Sequence, residues 1–190
     1  MSPRPSASTV PPSDARARLV VSAAVALAVV VGGVGLAIAL FSGSNSTEPA
    51  SPPAGFLVAA LAAARAADDP FRDLTELQLA VGDDCLRLVV ADEVDERVDG
   101  LRGRTDLGAY DGMLFVFDSP SNSSFTMSGV TTPLDIGWYS ASGQPVGRAE
   151  MEPCPSRAPD CPAYSAGSRY RFAVETLGGD LPAGALSGCS

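Results

Sequence analysis

Residues 75–90 read TELQLAVGDDCLRLVV, and the fold turns on this stretch. Leu77, Leu79 and Val81 alternate with neighbours of other character, Gly82-Asp83-Asp84 supplies a turn, and Leu86, Leu88 and Val90 resume the alternation. A period of two on either side of turn residues predicts an antiparallel hairpin.

Working towards the C-terminus, Asp92 reads as a helix N-cap with Asp95 three residues on. The helix should run to about Leu101, before Gly103, with Val94, Val98 and Leu101 on one face. Further strands are expected over 113–117, 124–127, 134–139, 146–151 and 169–176, separated by Ser, Asn, Pro and Gly turns. The fold class is α+β, mainly β, with a single N-terminal transmembrane helix followed by a small compact β-rich domain. That domain, residues 71–190, has one main helix and enough chain for a single core.

Working towards the N-terminus, residues 56–67 are Ala-rich with Leu57 and Leu61 at helical spacing, and Asp68-Asp69-Pro70 reads as their stop. They form either a short helix packed on the domain or a continuation of a stalk. Residues 42–55, SGSNSTEPASPPAG, combine flexible Ser and Gly with extended Pro, so 42–70 reads as a linker with a short Ala-rich helix. Residues 19–41 contain no charged, Asn, Gln or Pro side chain. At about 1.5 Å per residue they form a helix of roughly 34 Å, enough to cross a hydrocarbon core of about 30 Å. The preceding tail, residues 1–18, carries Arg4, Arg16 and Arg18 against Asp14, which keeps it in the cytoplasm and puts the rest outside.

The expected location is therefore the cell membrane, single-pass, with the lipid bilayer engaged through 19–41. A cleaved signal is the rival, because Ala37-Ile38-Ala39 has small-x-small spacing, and the product would then be secreted; the core is longer than the usual 7 to 15 residues. Ala24, Ala28 and Gly32 share one helical face and offer a close-approach surface for dimerisation.

Beyond residue 41 there are ten Arg, no Lys and 21 acidic residues. So negative a surface opposes binding to a phosphate backbone, and no nucleic acid partner is expected. The emphasis on Ala, Arg, Gly and Pro suggests a GC-rich bacterial genome. Four cysteines, Cys85, Cys154, Cys161 and Cys189, fall on the oxidising side and read as disulfides, with three pairings open. Nearness favours Cys154 with Cys161, leaving Cys85 for Cys189. In the chain-entropy model the short loop contributes about 2.5 kcal/mol and the long one about 4 to 5 kcal/mol.

With no His and no Lys, the inventory excludes a Ser-His-Asp triad, a His-bearing zinc site, a Ser-Lys dyad and a Schiff-base lysine. No phosphate loop, dinucleotide fingerprint or calcium loop occurs, and neither cofactor nor metal is expected. Paired carboxylates stay open, from among Asp92, Asp95, Glu96, Asp99, Asp111, Asp118 and Asp135. Asp135, between Leu134 and Ile136, needs solvent or a partner, and Arg97 and Arg104 are the natural candidates. The result is either an ion pair pinning helix to sheet or a site where the two arginines hold a small anion. Met113, Phe115, Phe117, Phe125, Met127 and Trp138 form a pocket or, more simply, core.

Several segments together carry a family resemblance. They are Ala91-Asp92 through Arg97, Gly100-Leu101-Arg102-Gly103-Arg104, Gly112-Met113-Leu114-Phe115-Val116-Phe117, Phe125-Thr126-Met127, Pro133-Leu134-Asp135-Ile136, and Glu175 ahead of Gly178-Gly179. In order and spacing they resemble the uncharacterised bacterial and archaeal family called domain of unknown function 192. The likeness runs from about Thr75 to the C-terminus. It implies a compact, mostly β domain with one helix, often exported or membrane-anchored, and no established activity or functional residues. Thr126, Ser128 and Gly129 stand where the pattern usually has Trp, Lys and Asn, and Arg102 where it has Met.

Two functions are compatible with this inventory. The first is a non-enzymatic extracytoplasmic binding module for a cell-envelope component or partner protein. The second is a carboxylate-based envelope enzyme such as a glycan hydrolase, which would need two facing carboxylates about 5 to 9.5 Å apart.

Overall fold

The computed structural model describes residues 54–156 and 159–190. The expected cytoplasmic tail (residues 1–18), the expected membrane span (19–41) and residues 42–53 of the expected linker lie outside the described residues. Among those described, no helix is long and apolar enough to cross a membrane.

In chain order the elements are α1 (Ala54–Ala62), β1 (Arg65–Ala66), β2 (Thr75–Val81), β3 (Asp84–Ala91), α2 (Val94–Asp99), β4 (Gly112–Ser121), β5 (Phe125–Thr126), β6 (Leu134–Tyr139), β7 (Pro145–Met151), β8 (Ala163–Tyr164), β9 (Tyr170–Leu177) and β10 (Leu186–Ser187). The expected hairpin is β2–β3, with Leu77 opposite Leu88 and Leu79 opposite Leu86. Gly82 makes its turn at φ 61°, where a Cβ would also collide with the Ala183 carbonyl.

The main sheet runs β1-β2-β3-β4-β9-β6-β7, with β10 also on β2. Among the described strand pairs only β3–β4 is parallel, and α2 lies in the connection between them. β5 and β8 pair separately.

Two apolar clusters form where one core was expected. Val89, Met113, Phe115, Ile136 and Trp138 pack on one face of the sheet. Leu79, Leu88, Leu114, Val116 and Val174 pack on the other. The cause is local: successive residues of a strand point to opposite faces, and β4 carries Met113, Leu114, Phe115 and Val116 in unbroken succession. Each such side chain contributes about 1.5 to 3 kcal/mol when fully buried.

α1 packs on the second cluster through buried Leu57, which settles the choice between packed helix and stalk. It stops at Ala62, earlier than Asp68-Asp69-Pro70, because Arg65 and Ala66 pair with Glu76 and Thr75 along the edge of β2. The expected 124–127 strand shortens to Phe125–Thr126, and the other strands shift by a few residues at most. Both disulfides form as nearness suggested, Cys85–Cys189 and Cys154–Cys161, with Cα separations of 5.4 and 5.8 Å.

α2 is shorter than expected, and its cap lies one residue later. Glu93 is the N-cap, and the Glu96 carboxylate accepts from the backbone N–H groups of Asp92 and Glu93, both at 3.0 Å. Gly100, at φ 49°, ends the helix and puts Leu101 in the turn beyond it. Of the three residues expected on one helical face, Leu101 is buried, whereas Val94 and Val98 are 64% and 56% exposed.

Candidate functional site

A cavity of about 450 Å³ opens between α2 with the turn after it and the segment leading through β5. Val94 and Val98 line it from α2, Phe115 and Phe117 from β4, and Phe125 with Met127 from the β5 segment. These six side chains leave the walls mostly apolar, as small-molecule clefts usually are. Phe125 meets Phe115 edge to face, with ring centroids 5.1 Å apart, and continues towards Trp138 at 6.1 Å. Trp138 and Met113 lie in the core behind. Of the six proposed pocket residues, four line the cavity and these two do not.

One buried ionisable side chain belongs to this lining, Glu175 of β9. It is 6% exposed and has no hydrogen-bond or ion-pair partner among the described residues. Burial raises its carboxyl from 4.5 to about 8, so the group is mostly a neutral acid at pH 7.

Arg97 also lines the cavity, where its guanidinium donates to the carbonyls of Val116, at 2.9 Å, and Asp92, and lies 5.2 Å from the Phe117 ring centroid. These bonds tie α2 to β4. Arg104 sits elsewhere, over the Phe71 ring at 4.1 Å and donating to the Pro70 carbonyl at 3.1 Å.

Neither arginine reaches Asp135. That carboxylate, 2% exposed, accepts from Arg148 at 3.0 Å and from the Gly179 N–H at 3.1 Å. The register explains the choice. Asp135 faces Glu150 and Gly137 faces Arg148 across β6–β7, so Asp135 and Arg148 are diagonal neighbours on one face. Asp135 is thus an ion pair within the sheet, and the three residues proposed as one site occupy three different places.

A second buried glutamate shows the opposite arrangement. Glu76 of β2, 2% exposed, accepts from Tyr110 at 2.5 Å, Arg87 at 2.6 Å and Arg65 at 2.6 Å. Burial by itself would raise its carboxyl, but the three donors prevail and bring it down to about 2. Arg87 continues the network to Asp68 at 3.0 Å and lies over the Tyr110 ring.

Among the carboxylates considered for catalysis, Asp99 lines the cavity at its exposed edge and Asp111 accepts from the Arg87 backbone N–H at 2.7 Å. Among the described residues no three Cys, Asp or Glu side chains converge as metal ligands would.

Sequence reasoning named Glu175, Arg102, Val94 and Val98 without assigning any of them to a site. The signal for Glu175 was present, since it is an acid inside an apolar strand, the same feature that singled out Asp135.

Comparison with known proteins fits this geometry. The model of domain of unknown function 192, described as an uncharacterised ACR, matches residues 77–186, more than half of the chain. The chain belongs to this family. The matched region spans β2 to β10 and includes every residue of the cavity. Among solved structures, a protein of unknown function from Novosphingobium aromaticivorans is similar at 23% identity, covering 64% of this chain and 86% of its own, with a TM-score of 0.51. A proposed transcription regulator from Sinorhizobium meliloti is similar at 19% identity, covering 58% and 90%, with a TM-score of 0.49. The first likeness shows a shared fold. No curated protein matches the chain.

Proposed function

We propose that this member of domain of unknown function 192 is a single-pass membrane protein whose extracytoplasmic domain binds, without catalysis, a small component of the cell envelope or an exposed group of a partner protein. The ligand sits in the cavity between α2 and β5. The observation that carries this reading is an open, apolar-walled cleft into which a buried carboxyl is turned without a protein partner. Unpaired buried polar groups are costly, and a ligand that satisfies one recovers that cost on binding. The placement outside the cytoplasm rests on the apolar run 19–41, its basic flank, and two cystines that an oxidising compartment would keep.

The second reading, a carboxylate enzyme acting on envelope glycans, draws support from Glu175 itself. A carboxyl raised to about 8 by an apolar setting is suited to a general acid. Its partner in the cavity would be Asp99. The walls argue for binding, because Val, Phe and Met side chains dominate where a sugar would need hydroxyl and amide partners.

Both parts are open to direct measurement on the full-length protein. Protease added to intact spheroplasts should digest the domain; protection until lysis would sink the topology. In a thermal-shift screen against wall fragments, small acids and amines, a ligand of the native state should raise Tm. Turnover of wall glycan that disappears in both Glu175→Gln and Asp99→Asn would instead establish the enzyme.

A further inference from the structure

On β9, Glu175 stands opposite Met113 of β4 and Ile136 of β6, so both neighbouring strands present apolar side chains beside it. A carboxyl so placed is costly as an anion and far cheaper as a neutral acid. The neutral acid carries an O–H, and among the described residues that donor meets no acceptor. Its opening is the cavity.

The charged groups on the elements packed around Glu175 are Arg97, Asp99 and Arg102, from α2 and the turn after it; β4, β5 and β6 add none to the lining. Arg97 and Arg102 are donors only, whereas the hydroxyls of Ser123, Ser124 and Thr126 both donate and accept. Among the groups that work in one direction, two guanidiniums and the Glu175 O–H donate against the single acceptor Asp99 at the exposed edge. A ligand complementary to this set must supply acceptors.

Resting on the binding reading above, we infer that the cavity recognises acyl compounds, with an apolar body against Phe115, Phe117 and Phe125 and a carbonyl or carboxylate oxygen accepting the Glu175 O–H. The shared chemistry is the acyl oxygen, whether it comes from a free acid or from an ester or amide. An organic cation is the contrary case. It would need Glu175 ionised, and the two arginines of the lining would oppose it.

The test uses the full-length chain in lipid nanodiscs with three water-soluble probes of equal reach: 4-phenylbutanamide, 4-phenylbutanoate and 4-phenylbutylamine. Binding is followed by saturation-transfer NMR from pH 6 to pH 10. The amide should bind at pH 6 and weaken about tenfold per pH unit once the pH passes about 8, as the donor proton is lost. Glu175→Gln should keep the pH 6 affinity within a few fold and lose the pH dependence, because its amide N–H donates at every pH. Glu175→Leu should lose at least about tenfold in affinity. A carboxylate that binds more tightly than the amide assigns the natural source to free acids; a weaker one assigns it to esters or amides.

Amide binding that is flat across this range in the native protein would overturn the inference. So would an amine that binds more tightly than the amide and gains affinity with pH, although the cavity would then stand as a binding site. If the protein gives an intact thermal transition and none of the probes binds at any pH, the binding reading falls too.

Discussion

Glu76 and Glu175 are both buried carboxylates on strands of one sheet, and their surroundings push them in opposite directions. Glu76 faces Tyr110, Arg87 and Arg65, and every contact favours its charged form. Glu175 faces hydrocarbon and an open cleft, and among the described residues no hydrogen bond or ion pair favours its charge. Burial alone therefore says little about what a carboxylate does. A satisfied one holds the structure together. One left unsatisfied at the wall of a cavity lowers stability, and a fold keeps such a group most readily where a ligand makes use of it.

The contrast has its largest consequence in the pH dependence of stability. Between about pH 4.5 and about pH 8 the native chain keeps a proton on Glu175 that the unfolded chain has released, so stability from this group falls as pH rises through that window. The accumulated loss is on the order of 4 to 5 kcal/mol at pH 9. Glu175→Gln should restore most of it there and change little at pH 4, which denaturant unfolding at the two pH values would check. A native-like pH slope in the variant would break the comparison.

Glu76 should show the reverse slope. Its stabilisation is complete above about pH 4.5 and is lost as pH falls towards 2, because the unfolded carboxylate takes up a proton before the native one does. Discounted for Arg65, whose side chain is 72% exposed, the effect is about 2 to 3 kcal/mol. Glu76→Leu should destabilise by about 3 kcal/mol at pH 7, since it leaves Arg87 with Asp68 alone. Together the two glutamates place the stability contributed by these groups at its maximum near pH 4 to 5. A variant as stable as the native protein at pH 7 would show that the network is ornamental.

Much of the fold was legible because it rests on local pattern. The alternation in residues 75–90 gives the hairpin, and the apolar residues of 134–139 give a central strand with the bounds expected. The cystine pairs followed from spacing. Long-range register was not legible. Nothing near Asp135 in the sequence points to Arg148, because that pairing depends on which residues β6 and β7 set diagonally. For the same reason the common face of Val94 and Val98 was legible but its role was not: a short apolar stripe does not reveal that its facing surface is a cleft. Glu175 carried the right signal but entered only as part of the family resemblance, and only the three-dimensional position of the cavity separates it from Asp135.

Asp135 lies between the two extremes, with one exposed-side partner and one backbone donor. Arg148→Ala would leave its buried carboxylate with the Gly179 N–H and should cost about 2 kcal/mol, measurable by chemical denaturation. A cost near that of Glu76→Leu would mean that the number of donors matters less than the comparison holds.

The smallest stability effect is expected at the cavity rim, where it separates binding from folding most cleanly. Val98 is 56% exposed and lines the cleft, so its side chain adds little to the core. Val98→Asp should alter stability by no more than about 0.5 kcal/mol, as surface changes usually do. The same substitution puts a charge on the apolar wall and a carboxylate that opposes the acceptor oxygen of the ligand, so binding of 4-phenylbutanamide should fall by at least about tenfold. Unfolding curves and probe titrations on one preparation would give both numbers. A variant that binds as the native protein does would remove the wall formed by α2 from the site and leave Glu175 as an unpaired acid without a ligand to explain it.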